Sequence, residues 1–197
     1  MAVLVSLSTY KALLGITGTA NDFALNTYVD SASQLVKTYC NNSFVDYYST
    51  DKVEEFTVNP GQNIVQLGES PAISITRVTE RTSPSVTHAS LTPLVSNTDY
   101  YLDTNTDSVF RVSGSTTKAF STGLGSVSVS YKAGYDSVPE DLKLAVVDII
   151  TYYYKDESKT RQTMAGSSRI NAASSTMRGN IGFPDHIKRV LDLYKNY

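Results

Sequence analysis

Residues Ser126–Lys155, SVSVSYKAGYDSVPEDLKLAVVDIITYYYK, set an alternating segment, a glycine turn and an apolar-periodic segment end to end. Val127, Val129 and Tyr131 fall on one side and Ser126, Ser128 and Ser130 on the other, the period-two pattern of a half-buried strand. Gly134 permits a turn that other residues resist. Ser137 and Glu140 stand at capping-box spacing, and Pro139 lies in the first turn, where a missing N–H costs nothing. Glu140 and Asp141 suit the positive end of the helix dipole. Leu142, Ala145, Val146, Ile149 and Tyr153 then share one face, which predicts a helix over 138–155.

The rest of the chain divides around this unit. Ser8 is placed to cap a short helix over 9–14 that Gly15 ends, and Thr19 with Asp22 has capping-box spacing for a longer helix over 20–40. Along that second helix Leu25, Tyr28, Val29, Ala32, Leu35, Val36 and Tyr39 follow the helical apolar period. Residues 53–132 change to short β segments. Glu54–Val58 and Asn63–Leu67 flank Asn59-Pro60-Gly61-Gln62, which reads as a hairpin turn. Ala72–Thr79, Tyr100–Leu102 and Val109–Val112 read as further strands, and Pro84 and Pro93 make Thr82–Val95 a loop or edge strand. The expected fold is α+β: a small helical bundle over 1–155 with an inserted antiparallel β-domain, then an extended arm over 156–197.

That arm is distinctive in composition. Residues Glu157–Phe183 are rich in Ser, Thr, Gly, Asn and Arg, with Met164, Ile170, Met177 and Ile181 at no regular period. Pro184 opens a terminal helix, 184–196, in which Ile187, Val190, Leu191 and Tyr194 share a face. Such a face docks on a partner or folds back onto its own core. The net charge of −2 is unevenly spread: residues 1–154 sum to −6 and residues 155–197 to +4. Lys159, Arg161, Arg169 and Arg178 are isolated cations of the arm, suited to an acidic protein surface or to passing DNA backbone. No aromatics interleave with them, which argues against sequence-specific nucleic-acid recognition.

Little else points to chemistry. The single Cys40 builds no internal disulfide and no metal site alone, and it ends a helix, where the dipole disfavours a thiolate. Asp103-Thr104-Asn105-Thr106-Asp107 begins like a calcium loop but has Ser108 and Gly114 where that loop needs glycine and a bidentate glutamate, so it reads as a polar hairpin turn. Gly123-Leu124-Gly125 has no third glycine and precedes a strand, unlike a dinucleotide loop. His88 and His186 read as surface residues, with no nucleophile elbow to serve. Glu54 and Glu55 are neighbours on a strand and so face opposite sides. No apolar run is long enough to span a membrane, and no secretory signal is evident. No cofactor and no catalytic residue is expected.

Several motifs together resemble the head–tail connector (adaptor, neck) proteins of bacteriophages. These are Leu7-Ser8-Thr9-Tyr10-Lys11-Ala12-Leu13-Leu14-Gly15, Ala32-Ser33 within the long helix, and Tyr39-Cys40-Asn41-Asn42-Ser43-Phe44 closing it. The last is Tyr131-Lys132-Ala133-Gly134-Tyr135 followed by Val138-Pro139-Glu140-Asp141-Leu142. Asn42 stands where the family often has a basic residue. The likeness covers residues 7–155. It implies a non-enzymatic virion protein of the neck: a ring, usually of twelve copies, below the capsid portal, which continues the DNA channel and receives a tail or stopper protein. It also implies C-terminal segments that reach the portal. On this basis Lys159, Arg161, Met164, Arg169, Ile170, Met177, Arg178, Ile187, Val190, Leu191 and Tyr194 are the candidate docking residues. A tail-completion or tail-terminator protein is the alternative, and a virion-associated cell-wall hydrolase a more distant one.

Overall fold

Four helices and seven strands are built from these patterns, and a computed structural model describes them over residues 2–154 and 183–196. The chain divides into a helical unit, residues 1–41 with 138–195, and a β unit, residues 42–137.

In the helical unit, α1 spans Leu7–Leu14. Its cap is Ser6 instead of Ser8: Ser6 has extended backbone, and its Oγ accepts from the Thr9 N–H at 3.1 Å, while Ser8 lies already inside the helix. Gly15 closes α1 at φ +66°, the left-handed geometry that favours glycine. The next helix, α2, spans Asp22–Cys40 and starts later than its spacing predicts. The Thr19–Asp22 capping box does not form: Asn21 stands at the N-cap with no side-chain bond, and the Asp22 carboxylate pairs with Lys11 Nζ at 2.6 Å. Leu25, Val29, Ala32, Val36 and Cys40 are buried, whereas Tyr28 is exposed and meets Tyr154 edge-on. Helix α3 spans Glu140–Tyr154 and buries Leu142, Ala145, Val146, Val147, Ile149 and Ile150.

The terminal helix takes the second of the two courses open to its apolar face and folds back onto its own unit. It occupies Asp185–Leu193 (α4) and packs on α2 and α3. Phe183, Ile187 and Leu191 are at most 3% exposed. Burying these side chains in its own bundle satisfies the apolar stripe that otherwise requires a partner.

In the β unit the strands are β1 (Lys52–Val58), β2 (Ile64–Gln66), β3 (Ala72–Glu80), β4 (Tyr100–Asp103), β5 (Ser108–Ser113), β6 (Thr116–Thr117) and β7 (Gly123–Ala133). One sheet has the order β1-β7-β3 and the other β2-β5-β4, with β6 added on β5; all pairs are antiparallel. The expected hairpin over 54–67 is therefore not a ladder. The turn exists, with Gln62 N–H on Asn59 O at 3.2 Å, but it passes the chain from β1 in one sheet to β2 in the other. Val58, Val78, Val127, Val129 and Tyr131 from the first sheet and Val65, Tyr100 and Val109 from the second form one apolar core.

Strand β7 is more enclosed than its alternation predicts. Ser126 and Ser128 are 2% and 7% exposed, because β7 is the central strand and the loop after β3 is tied to the serine side. His88, in a short 3₁₀ turn, places Nδ1 2.8 Å from Thr79 Oγ1, and Thr79 is the cross-strand neighbour of Ser128. Its Nε2 lies 2.9 Å from Gly125 O. His88 is thus half-buried and held at both nitrogens, not the surface residue its loop position suggests. Gly134, at φ +97°, behaves as expected: Tyr135 N–H donates to Phe44 O at 2.7 Å, and a Cβ on Gly134 would collide with that same carbonyl.

Candidate assembly surfaces

Of the predicted docking residues, Ile187, Val190, Leu191 and Tyr194 lie among the described residues. Lys159, Arg161, Met164, Arg169, Ile170, Met177 and Arg178 lie outside the described residues. Ile187 and Leu191 are buried within their own helical unit, so they present no free docking face; Val190 and Tyr194 are half-buried. The Tyr194 hydroxyl donates to Asp141 Oδ1 at 2.7 Å, and Tyr39 OH donates to Asp192 Oδ1 at 2.6 Å. Phe183 meets the Tyr39 ring edge-on at 5.3 Å, and Lys195 Nζ lies 5.3 Å from the centre of the same ring. Beneath them Cys40 is fully buried and its thiol donates to Leu191 O at 3.5 Å. Burial, with Asp192 nearby, pushes that thiol up to about 12, so it is an inert packing group. His186, in contrast, is an exposed residue 3.8 Å from Asp148.

The β unit holds a charged cluster that sequence reading does not assign. Lys52 and Glu54 take inward positions on β1, the side that also carries Phe56 and Val58. Glu54 Oε2 accepts from the Tyr131 hydroxyl at 2.9 Å and the Gly68 N–H at 3.0 Å, while Oε1 pairs with Lys52 Nζ at 2.7 Å. Glu69, 6% exposed, accepts from Ser43 N–H and Oγ at 2.8 Å each and from Lys52 at 3.0 Å. Its own N–H donates to Tyr131 OH at 3.1 Å. Burial, then the Glu54 carboxylate, holds the Tyr131 hydroxyl far above the ordinary tyrosine range. For Lys52 burial works against the charge, but hydrogen bonds to Glu54 and Glu69 outweigh it and the ammonium is stabilised. Every carboxylate here is occupied, so the cluster acts as a clamp joining β1, β7 and the approach to β3. Glu55 faces the other way, toward Arg81 at 3.2 Å. The sequence does carry a signal for the clamp, since a Lys and a Glu alternate onto the same side as Phe56 and Val58.

A second buried charge sits in the other sheet. Arg111, 5% exposed, donates through Nε to Glu80 at 3.0 Å and through one terminal nitrogen to the Asp99 and Val112 carbonyls. The Asp103–Asp107 segment is a turn closed on itself: the Asp103 carboxylate accepts from Asn105 N–H at 3.0 Å and Thr106 Oγ1 at 2.8 Å. Among the described residues no group of three or more His, Cys, Asp or Glu side chains is arranged to hold a metal ion. Nor is any described helix long and apolar enough to cross a membrane.

Some apolar side chains remain exposed. In the helical unit Phe23 is 91% exposed and Leu13 63%, close to the Lys11–Asp22 ion pair that joins α1 to the start of α2. In the β unit Ile64, Phe110 and Tyr101 stand opposite one another across β2, β5 and β4, on the solvent side. Beside them opens a groove of about 430 Å³, lined by Tyr101, Phe110, Val112 and the β5–β6 turn. Phe23 escapes sequence reading because it lies off the apolar stripe of α2, and Tyr101 and Phe110 because they resemble ordinary strand residues.

The head completion protein family matches residues 3–197. The chain belongs to that family. A head completion protein of Escherichia phage T5 is 29% identical over 73 residues, 36% of this chain; the match spans 39% of that protein's length. Among solved structures, the fold is similar to a chain in the neck of an empty GTA particle computed with C6 symmetry. That match has a TM-score of 0.62 at 18% identity and covers 100% of this chain and 93% of the other. It is equally similar to a chain in the neck of a native GTA particle computed with C12 symmetry (TM-score 0.61, 17% identity, 100% and 93% covered). The resemblance to phage head–tail connector proteins therefore holds, and the head completion family match extends past residue 155, through the segment that the motifs do not cover.

Proposed function

We propose that this chain is a structural component of a phage-type particle neck. Copies assemble into a ring, of twelve by analogy with the C12 neck, that sits against the capsid portal, continues the DNA channel and receives a tail or stopper protein. The observation that carries the reading is the head completion match along nearly the whole chain, joined by a fold shared with neck components over its full length. The surface supports it. Phe23, Leu13, Ile64 and Tyr101 are among the large apolar side chains left exposed to water, as expected of a subunit that meets neighbours. No catalytic step forms part of this role, and its place is the virion.

Portal attachment is assigned to the cations and apolar residues of 157–182: Lys159, Arg161, Met164, Arg169, Ile170, Met177 and Arg178. Replacing the four cations Lys159, Arg161, Arg169 and Arg178 by Ser should weaken co-sedimentation with portal rings and lower its salt sensitivity. Undiminished binding would remove these residues from the interface. A purified chain that binds tail tubes but not portals would favour the tail-completion role instead.

A further inference from the structure

Helix α4 buries fewer side chains than the two helices it packs on, α2 and α3. It has nine residues, shorter than a helix that persists alone, and only Ile187 and Leu191 of the nine are buried; α3 buries six. Its N-cap, Pro184, makes no side-chain cap bond, and no basic residue stands in its last turn, where Asp192 instead opposes the dipole. Polar ties at the exposed rim fasten it, Tyr39 to Asp192 and Tyr194 to Asp141, with His186 3.8 Å from Asp148. Directly below lies Cys40, covered by the Leu191 carbonyl.

We propose that α4 is a latch, which lifts from α2 and α3 while the remainder of the helical unit stays folded. Elements with few buried side chains and rim-exposed ties open at lower free energy than the global transition. Lifting would bare Ile187 and Leu191, the residues whose periodicity marks them for docking. The lifting stands on the packing alone, whereas its use in portal attachment rests on the neck reading.

Cys40 is the chain's one cysteine, so its thiol reports the opening without interference. The full-length protein is labelled with a thiol reagent under native conditions across a low urea series, alongside circular dichroism of global unfolding. The latch predicts a labelling rate nearly independent of urea and faster than global unfolding allows. Tyr39→Phe, which keeps the ring against Phe183 but removes the tie to Asp192, should raise that rate about tenfold with the melting curve unchanged. Asp192→Asn should act in the same direction. Labelling that follows global unfolding with the same urea slope would overturn the latch, as would a Tyr39→Phe rate equal to the wild type. A Tyr39→Phe variant that loses protection and melting temperature together would overturn it too. None of these outcomes bears on whether the chain is a neck protein, which portal binding tests separately.

Discussion

Tyr131→Phe isolates the clamp of the β unit. The ring remains, so burial of the 0% exposed side chain is preserved, and only the hydroxyl is lost. Its removal leaves the buried Glu69 N–H without the acceptor it has at 3.1 Å, a loss of about 1–3 kcal/mol. It also removes one of three donors to Glu54, a charge-assisted bond of about 1.5–3 kcal/mol. Lys52 and the Gly68 N–H still serve Glu54, and Lys52 is partly open to water, so the sum is not fully realised. The expected destabilisation is about 3 kcal/mol. With a urea slope of about 2 kcal/mol/M, the midpoint should fall by about 1.5 M. Equilibrium urea unfolding by far-ultraviolet circular dichroism measures it directly. A midpoint within about 0.2 M of wild type, with unchanged slope, would show that the hydroxyl carries no structural load.

The same hydroxyl sets a pH dependence. Because its folded pKa lies above the ordinary value of 10, the unfolded chain ionises first on raising pH. Its stabilising effect is complete below pH 10 and is lost as pH rises beyond it, and urea midpoints of Tyr131→Phe should decline less over that range. Cys40 acts in the same sense between pH 9 and about 12, so Cys40→Ala should further flatten the alkaline decline. Gly134→Ala should prevent recovery of folded protein, since its φ of +97° and the Phe44 carbonyl both exclude a side chain; soluble, cooperatively melting protein would contradict the close approach. Phe23→Ser should leave the melting temperature within about 2 °C of wild type while reducing self-association in sedimentation velocity, because the side chain is 91% exposed; a large loss of stability would refute its role as a surface contact.

Local rules reached the helical framework of this chain well. Gly15 and Gly134 announce left-handed turns, and the stripes of α2 and α3 announce their buried faces, because each signal is complete within a few residues. Three features needed information that no short window holds. Ser8 and Thr19 have cap spacing, but Ser6 has the required backbone, and Asn21 takes the N-cap of α2 while Asp22 pairs with Lys11 of the preceding helix. The Asn59–Gln62 turn looks like a hairpin, but β1 and β2 find different partners, β7 and β5, each far along the chain. The amphipathic face of α4 was equally suited to a partner or to its own bundle, and only packing decides between them. The candidate surfaces were least legible. Phe23 and Tyr101 are notable for their exposure, which is a property of the folded chain. The clamp around Tyr131 was hidden for the opposite reason: its charges are buried by residues separated by up to 77 positions in sequence.

The neck assignment is tested most directly by electron microscopy of particles carrying a tagged copy of this chain, imaged around the portal vertex. The account predicts tag density in a closed ring between portal and tail, with twelve copies as in the C12 neck. Tag density confined to the tail tip or to the capsid shell would contradict it.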